Sequence, residues 1–144
     1  MNEEKPSLGP EKPVRTPKAW IEWADNDLAF ARWGLQSDRP FAAQICYLCQ
    51  QAVEKYLKGY LIAQGWTLEK THSIAKLLTL CISVDESFTE FENDLAPFDH
   101  YVTEARYPVD MAVEFSPEEA QRAVEVAERL RNFVHKKLAS PHAE

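Results

Sequence analysis

A chain of 144 residues with 45% hydrophobic content buries one ordinary core, and scarce glycine (4) beside frequent Leu, Ala, Glu and Lys favours helix over sheet. The formal net charge of −7, from 23 acidic and 16 basic residues, argues against a nucleic-acid binder that works by bulk electrostatics, while leaving room for a local basic pocket. No stretch reaches the roughly 18 apolar residues of a membrane span, the start MNEEKPSLGPEKPVRTP has no apolar run, and three cysteines carry no extracellular cue, so a reduced, cytoplasmic setting is expected.

Residues 1–15 hold Pro6, Pro10 and Pro13 among charges with almost nothing to bury, and read as a flexible arm. Thr16-Pro17 then opens a helix, with Thr as the N-cap and Pro at the first helical position. The first helix runs to about Gln36, with Trp20, Trp23, Leu28, Ala31 and Leu35 at helical spacing and Phe30 and Trp33 widening the apolar surface. Three tryptophans on one helix are expected mostly in the core, with part of their area facing a second subunit.

Ser37-Asp38-Arg39-Pro40 is a turn, and Pro40 admits a second helix that continues to Gln64 and stops at Gly65, a natural left-handed cap. At about 100° per residue, Gln44, Tyr47, Gln51, Glu54, Lys55 and Lys58 fall in one narrow polar arc of this helix. Ile45, Leu48, Cys49, Ala52, Val53, Tyr56, Leu57 and Tyr60 cover the other half. So wide an apolar face touches two or more neighbours, which makes this the central helix. Cys46-x-x-Cys49 lies on the apolar side with no second CxxC, and reads as buried small hydrophobes rather than as half a redox or metal motif.

A short loop, Trp66 to Lys70, leads to Thr71-His72-Ser73 and an apolar segment from Ile74 to Cys81. Asp85 caps a further segment, Phe88 to Ala105, whose inner face is Phe91, Leu95, Phe98 and Val102; Pro97 inside it predicts a kink or a restart. Pro108 ends that segment, and Val109 to Phe115 is a loop. Ser116-Pro117-Glu118-Glu119 is a full capping box, the strongest boundary signal in the chain. The last helix carries Ala120, Val124, Ala127, Leu130, Phe133 (or Val134) and Leu138. No repeat and no strand-like alternation occurs. The fold class is all-α: an antiparallel up-and-down bundle of four main helices plus a short one, spanning residues 16–139, with a flexible C-terminus at 140–144.

Three polar constellations compete for chemistry. A solvated face accounts simply for the arc of the second helix, in which Glu54 and Lys58 form an ordinary i,i+4 pair. His72 has no second ligand at metal spacing; it reads as a hydrogen-bonding post at a loop end, with a catalytic role as the sharper alternative. Asp99-His100-Tyr101 through Arg106-Tyr107-Pro108 ends a helix with an Arg beside aromatic hydroxyls. That Arg serves either to bind the terminal carbonyls or to hold phosphate with its fork of donors. No Walker-type phosphate loop, HExxH, GxSxG or GxGxxG occurs, and no cofactor or metal is implied.

Gln50-Gln51-Ala52-Val53-Glu54-Lys55-Tyr56-Leu57-Lys58 resembles the QQAxEKxLKxxL signature of HEPN domains. Lys70-Thr71-His72-Ser73-Ile74 through Leu78 resembles their KTHxLxxLL segment, with Ile74 for the usual Leu, and Tyr101 through Pro108 their YxxxRYP. The three motifs stand in the family's order and together cover roughly residues 18 to 138. The resemblance implies a helical bundle that commonly forms homodimers and is often encoded beside a minimal nucleotidyltransferase, as a module likened to toxin and antitoxin. Active members are metal-independent RNases that use an Arg followed by four to six residues and a His, and Arg106 stands at that Arg. Here Tyr107, Pro108, Val109, Asp110, Met111 and Ala112 follow it without a histidine, so the general acid/base is missing from the motif. Arg129 and His135 match the spacing only by letter, inside the last helix. The expectation is therefore binding rather than cleavage. Lys55, Lys58 and Arg106 serve phosphate, Tyr101 or Tyr107 stacks on a base, Gln51 and Glu54 support the groove, and His72 joins Arg106 as a catalytic residue only if RNA is cut.

Overall fold

The structure, a computed structural model, describes residues 15–68, 70–104 and 115–139. Helix α1 spans Pro17–Leu35 and starts as its sequence dictates: the Thr16 hydroxyl accepts from the Ala19 N–H at 3.1 Å. Helix α2, Ala42–Ala63, ends at Gly65, whose φ of +87° lets the N–H groups of Gly65 and Trp66 turn back onto the carbonyls of Ile62 and Leu61. Helix α3 is Ile74–Val84.

The segment from Phe88 restarts at Pro97, as its sequence predicts, and is divided further before it. A 3₁₀ turn, Glu86–Phe91, runs into the single turn α4, Glu92–Leu95, and α5, Phe98–Glu104, restarts after Pro97. Proline lacks the N–H that would continue the ladder, so a restart is the local solution. Asp85 caps the turn through the Ser87 N–H at 3.0 Å. Helix α6, Pro117–Ala139, begins where the Ser116 hydroxyl accepts from the Glu119 N–H at 3.1 Å. The Glu119 carboxylate accepts from the Tyr101 hydroxyl at 3.3 Å, so this cap also fastens α5 to α6.

Cross-links fix the directions. Lys58 lies over Trp20 while Gly34 approaches Ile45, so α1 and α2 are antiparallel. Asp25 meets His135 and Arg32 meets Glu128, so α1 and α6 are antiparallel as well. The four legs are α1, α2, the α4–α5 pair and α6, with α3 as the short extra helix. Helix α2 packs against α1, α3, α5 and α6, and residues on every side of it are buried, among them Ile45, Cys49, Val53, Tyr56 and Leu61. The central position inferred from its pattern holds. Burial pushes the thiols of Cys46 and Cys81 up to about 12 and that of Cys49 higher still, away from the thiolate that redox or metal chemistry needs.

The first helix departs from expectation. Its core face is Ile21, Ala24, Leu28 and Ala31, while Trp23 and Trp33 are 65% and 69% exposed. Five residues separate Trp23 from Leu28, which puts them on different sides of the helix. Two alanines at the inward positions let α1 approach its neighbours closely, and that leaves no room for indoles there.

Candidate functional site

The polar arc of α2 is not a solvated face. Glu54 is 5% exposed and Lys58 7%, both covered where α1 and the segment before α3 cross α2. The cover exists because α2 carries Gly59 at the crossing. A Cβ there would stand 2.9 Å from Ile21 Cδ1 and 3.1 Å from Trp20 Cβ, so only glycine lets α1 come this near. Trp20 is thereby laid on the stripe, and the Lys58 ammonium sits 5.6 Å from its ring centroid.

Beneath this cover one carboxylate organises the polar groups. Glu54 Oε2 accepts from Lys58 Nζ at 2.9 Å, and Glu54 Oε1 accepts from Gln50 Nε2 at 3.2 Å. Gln50 Oε1 in turn accepts from Gln51 Nε2 at 2.7 Å. His72 Nδ1 stands 3.2 and 3.1 Å from the two oxygens of Glu54, although its side chain is 75% exposed. A buried charge pair of this kind persists best when its remaining polar groups are met: Gln50 and His72 meet the other lone pairs of Glu54, and the Trp20 ring faces the Lys58 ammonium. The indole N–H of Trp20 is the one buried side-chain donor without an acceptor among the described residues.

His72 is placed by its backbone. Thr71 Oγ1 accepts from the Ser73 N–H at 3.2 Å, and Ser73 Oγ caps α3 through Lys76 N–H, also at 3.2 Å. From α5, the Asp99 carboxylate accepts from the N–H groups of Ile74 at 2.6 Å and Ala75 at 3.1 Å. Asp99 thus ties the leg that leads toward Arg106 to the residue next after Ser73. Sequence reading noticed Asp99 only as a member of a polar cluster, because a cap supplied from 25 residues away leaves no local signal.

The structure brings Gln51, Glu54, Lys58 and His72 into one network. Lys55 goes elsewhere: it is ion-paired with Asp27 of α1 and stands over Trp23. Tyr101 is 3% exposed with its hydroxyl on Glu119, a position from which a base cannot stack on it. Arg106 and Tyr107 lie outside the described residues. Each lysine proposed for phosphate already has a carboxylate partner, Lys55 on Asp27 and Lys58 on Glu54.

A second cluster was not visible in the sequence. Asp25 of α1 accepts from Tyr56 of α2 at 2.5 Å and from Arg131 and His135 of α6 at 3.2 and 3.1 Å. Burial raises the Asp25 carboxyl, but the hydrogen bonds from Tyr56 and His135 and the charges of His135 and Arg131 outweigh it and hold the group below its ordinary value. Burial and Asp25 together keep the Tyr56 hydroxyl protonated far above the usual range. Arg129 faces Asp94 at 2.5 Å, so it and His135 serve different clusters and form no Arg-His pair. Only the i,i+4 spacing of Arg131 and His135 hinted at this site, since its members come from three helices.

Comparison with known proteins adds a family and a fold. The family model described as HEPN domain matches residues 17–138. The crystal structure of an archaeal HEPN homologue superposes with a TM-score of 0.68 at 26% identity, covering 86% of this chain and 98% of that one. Comparison with curated proteins finds no match.

Proposed function

This chain belongs to the HEPN domain family, and we propose that it is the non-nucleotidyltransferase half of a two-component, toxin/antitoxin-like module. In this reading it binds a nucleotide or RNA, works as a homodimer, and pairs with a minimal nucleotidyltransferase protein. The observation that carries the reading is His72: an exposed imidazole whose Nδ1 is anchored on a buried Glu54–Lys58 pair, two residues before the Ile74 N–H through which Asp99 joins α5 to α3. A loop-end histidine that merely faced water would need no buried ion pair behind it. Arg106, just past α5, supplies the guanidinium for phosphate.

The same observation favours a second reading, a metal-independent endoribonuclease with a site assembled at a dimer interface. His72 then stands in for the histidine that the segment after Arg106 lacks. A structural adaptor without a ligand is the blandest alternative. Incubation of the purified protein with RNA in the presence of chelator, beside Arg106→Ala and His72→Ala, separates the three. The binding module gives no cleavage but a ligand-dependent rise in Tm, which both substitutions reduce. Cleavage that either substitution abolishes selects the RNase, and neither signal selects the adaptor.

A further inference from the structure

The outer face of α1 is apolar and faces water. Ala19, Trp23, Asn26, Phe30 and Trp33 follow one another at steps of 4, 3, 4 and 3 residues, the spacing of a seam between two helices. Trp23, Phe30 and Trp33 are 61 to 69% exposed, and the ring centroids of Phe30 and Trp33 lie 5.7 Å apart. These five positions carry no charge. Lys55 at the edge of the face is paired with Asp27, and Lys18 of the same helix stands 3.9 Å from Glu22. A nucleic acid or an anionic membrane is held by unmatched cations, which these two lysines do not supply. An apolar protein surface fits instead, and a second α1 offers one of the same length and spacing.

We infer that two copies of this chain pair through α1, antiparallel, about a two-fold axis beside Asn26. The inference rests on the homodimer in the reading above, and adds which face forms it and in which orientation. Size decides the orientation. In the antiparallel arrangement Trp33 falls opposite the partner's Ala19, Trp23 opposite the partner's Ala29, and Phe30 opposite the stem of the partner's Glu22. Each ring then meets a small or flexible neighbour, as close packing requires. Parallel pairing drives Trp33 against the partner's Trp33 and leaves a gap between the two Ala19 residues. It also aligns the two helix dipoles unfavourably. At the axis Asn26 meets the partner's Asn26, where the two amides satisfy each other and hold the register. From their exposure, the six rings of a dimer take roughly 600 to 1,000 Å² out of water. That is at least half of the roughly 1,200 Å² at which specific interfaces begin.

The test joins mass and proximity in the full chain. Light scattering is expected to give twice the chain mass for the wild type and a single chain mass for Phe30→Glu. Circular dichroism is expected to show the same helicity in both, because Phe30 is exposed. Asn26→Cys is expected to give a covalent dimer with a short bis-maleimide. Ala19→Cys is not, since antiparallel pairing sets the two copies of residue 19 roughly 20 Å apart along the helix axis. The native Cys46, Cys49 and Cys81 are buried and give no background. A dimer that persists in Phe30→Glu, a failure of Asn26→Cys to cross-link, or cross-linking at Ala19→Cys as in parallel helices overturns the inference and leaves the homodimer standing. A monomeric wild type overturns both. Flotation of that monomer with phosphatidylcholine vesicles, or its binding of a single-stranded oligonucleotide, then gives the face to a membrane or a nucleic acid if Phe30→Glu abolishes it.

Discussion

At the scale of single residues, Glu54 is the group on which most depends. Removing it by Glu54→Ala strands the Lys58 ammonium, 7% exposed, without a counter-charge. The cost expected for breaking a buried pair from one side is about 3 to 5 kcal/mol, read as a shift in the urea midpoint at unchanged slope. Lys58→Met beside Glu54→Met is expected to recover much of that loss, because the pair can be replaced by apolar volume but not halved. Asp25 gives a pH signature. Its carboxyl is depressed in the folded chain, so its contribution is fully present above the unfolded value of about 3.9 and is lost as pH falls through the lower folded value. Asp25→Asn is expected to cost on the order of 1 kcal/mol at neutral pH and to flatten the acid limb of the stability curve. A limb as steep as wild type would show that other carboxylates carry it, Asp85 first, which the Lys137 hydrogen bond holds at about 2.

At the scale of helices, the crossing of α1 over α2 sets both the cover and the site. Gly59→Ala places a methyl 2.9 Å from Ile21 Cδ1, which can swing, and 3.1 Å from Trp20 Cβ, which is fixed to the backbone. Alanine's better helix propensity, worth about 1 kcal/mol, is set against an overpacking cost of about 1 to 3 kcal/mol. Net destabilisation is expected, and with it a larger exposure of Lys58 as Trp20 lifts. Faster amide exchange along 54–58 than in wild type is the measurement that checks it. The α1–α6 seam is of a different kind, a polar ladder of Arg32–Glu128 at 2.6 Å and Asp25 with Arg131 and His135, and it will weaken with salt more than the α1–α2 seam, whose Lys55–Asp27 pair is less exposed.

At the scale of the whole molecule, the surface is lopsided. Trp23, Phe30, Trp33 and Phe41 are all more than half exposed, and the first three share the outer face of α1. A stripe of that size is unusual on a monomer and suits the homodimer proposed above. Light scattering at micromolar concentration is expected to give twice the chain mass for the wild type and a single chain mass for Trp33→Glu. A wild-type monomer would count against the dimer. A Trp33→Glu dimer would move the interface off α1. No helix among the described residues is long and apolar enough to cross a membrane.

The sequence by itself determined the helical class, the central position of α2 and most helix ends, because these rest on local causes: the Thr16 and Ser116 caps, the Pro97 break and the left-handed Gly65 all act within a turn of where they stand. It also marked Glu54, Lys58 and His72 as residues of interest, through their motifs and not through their environment. Whether that stripe faced water or was covered depended on how closely α1 approaches at Gly59, a distance of tenths of an ångström between segments some 40 residues apart, which periodicity does not encode. The same holds for the Asp25 cluster, drawn from three helices, and for the tryptophans, whose number was legible but whose side of the helix was decided by two inward alanines. Only tertiary structure turned an ordinary i,i+4 pair into a buried carboxylate with His72 on its outer edge, because burial is a property of the partners and not of the pair.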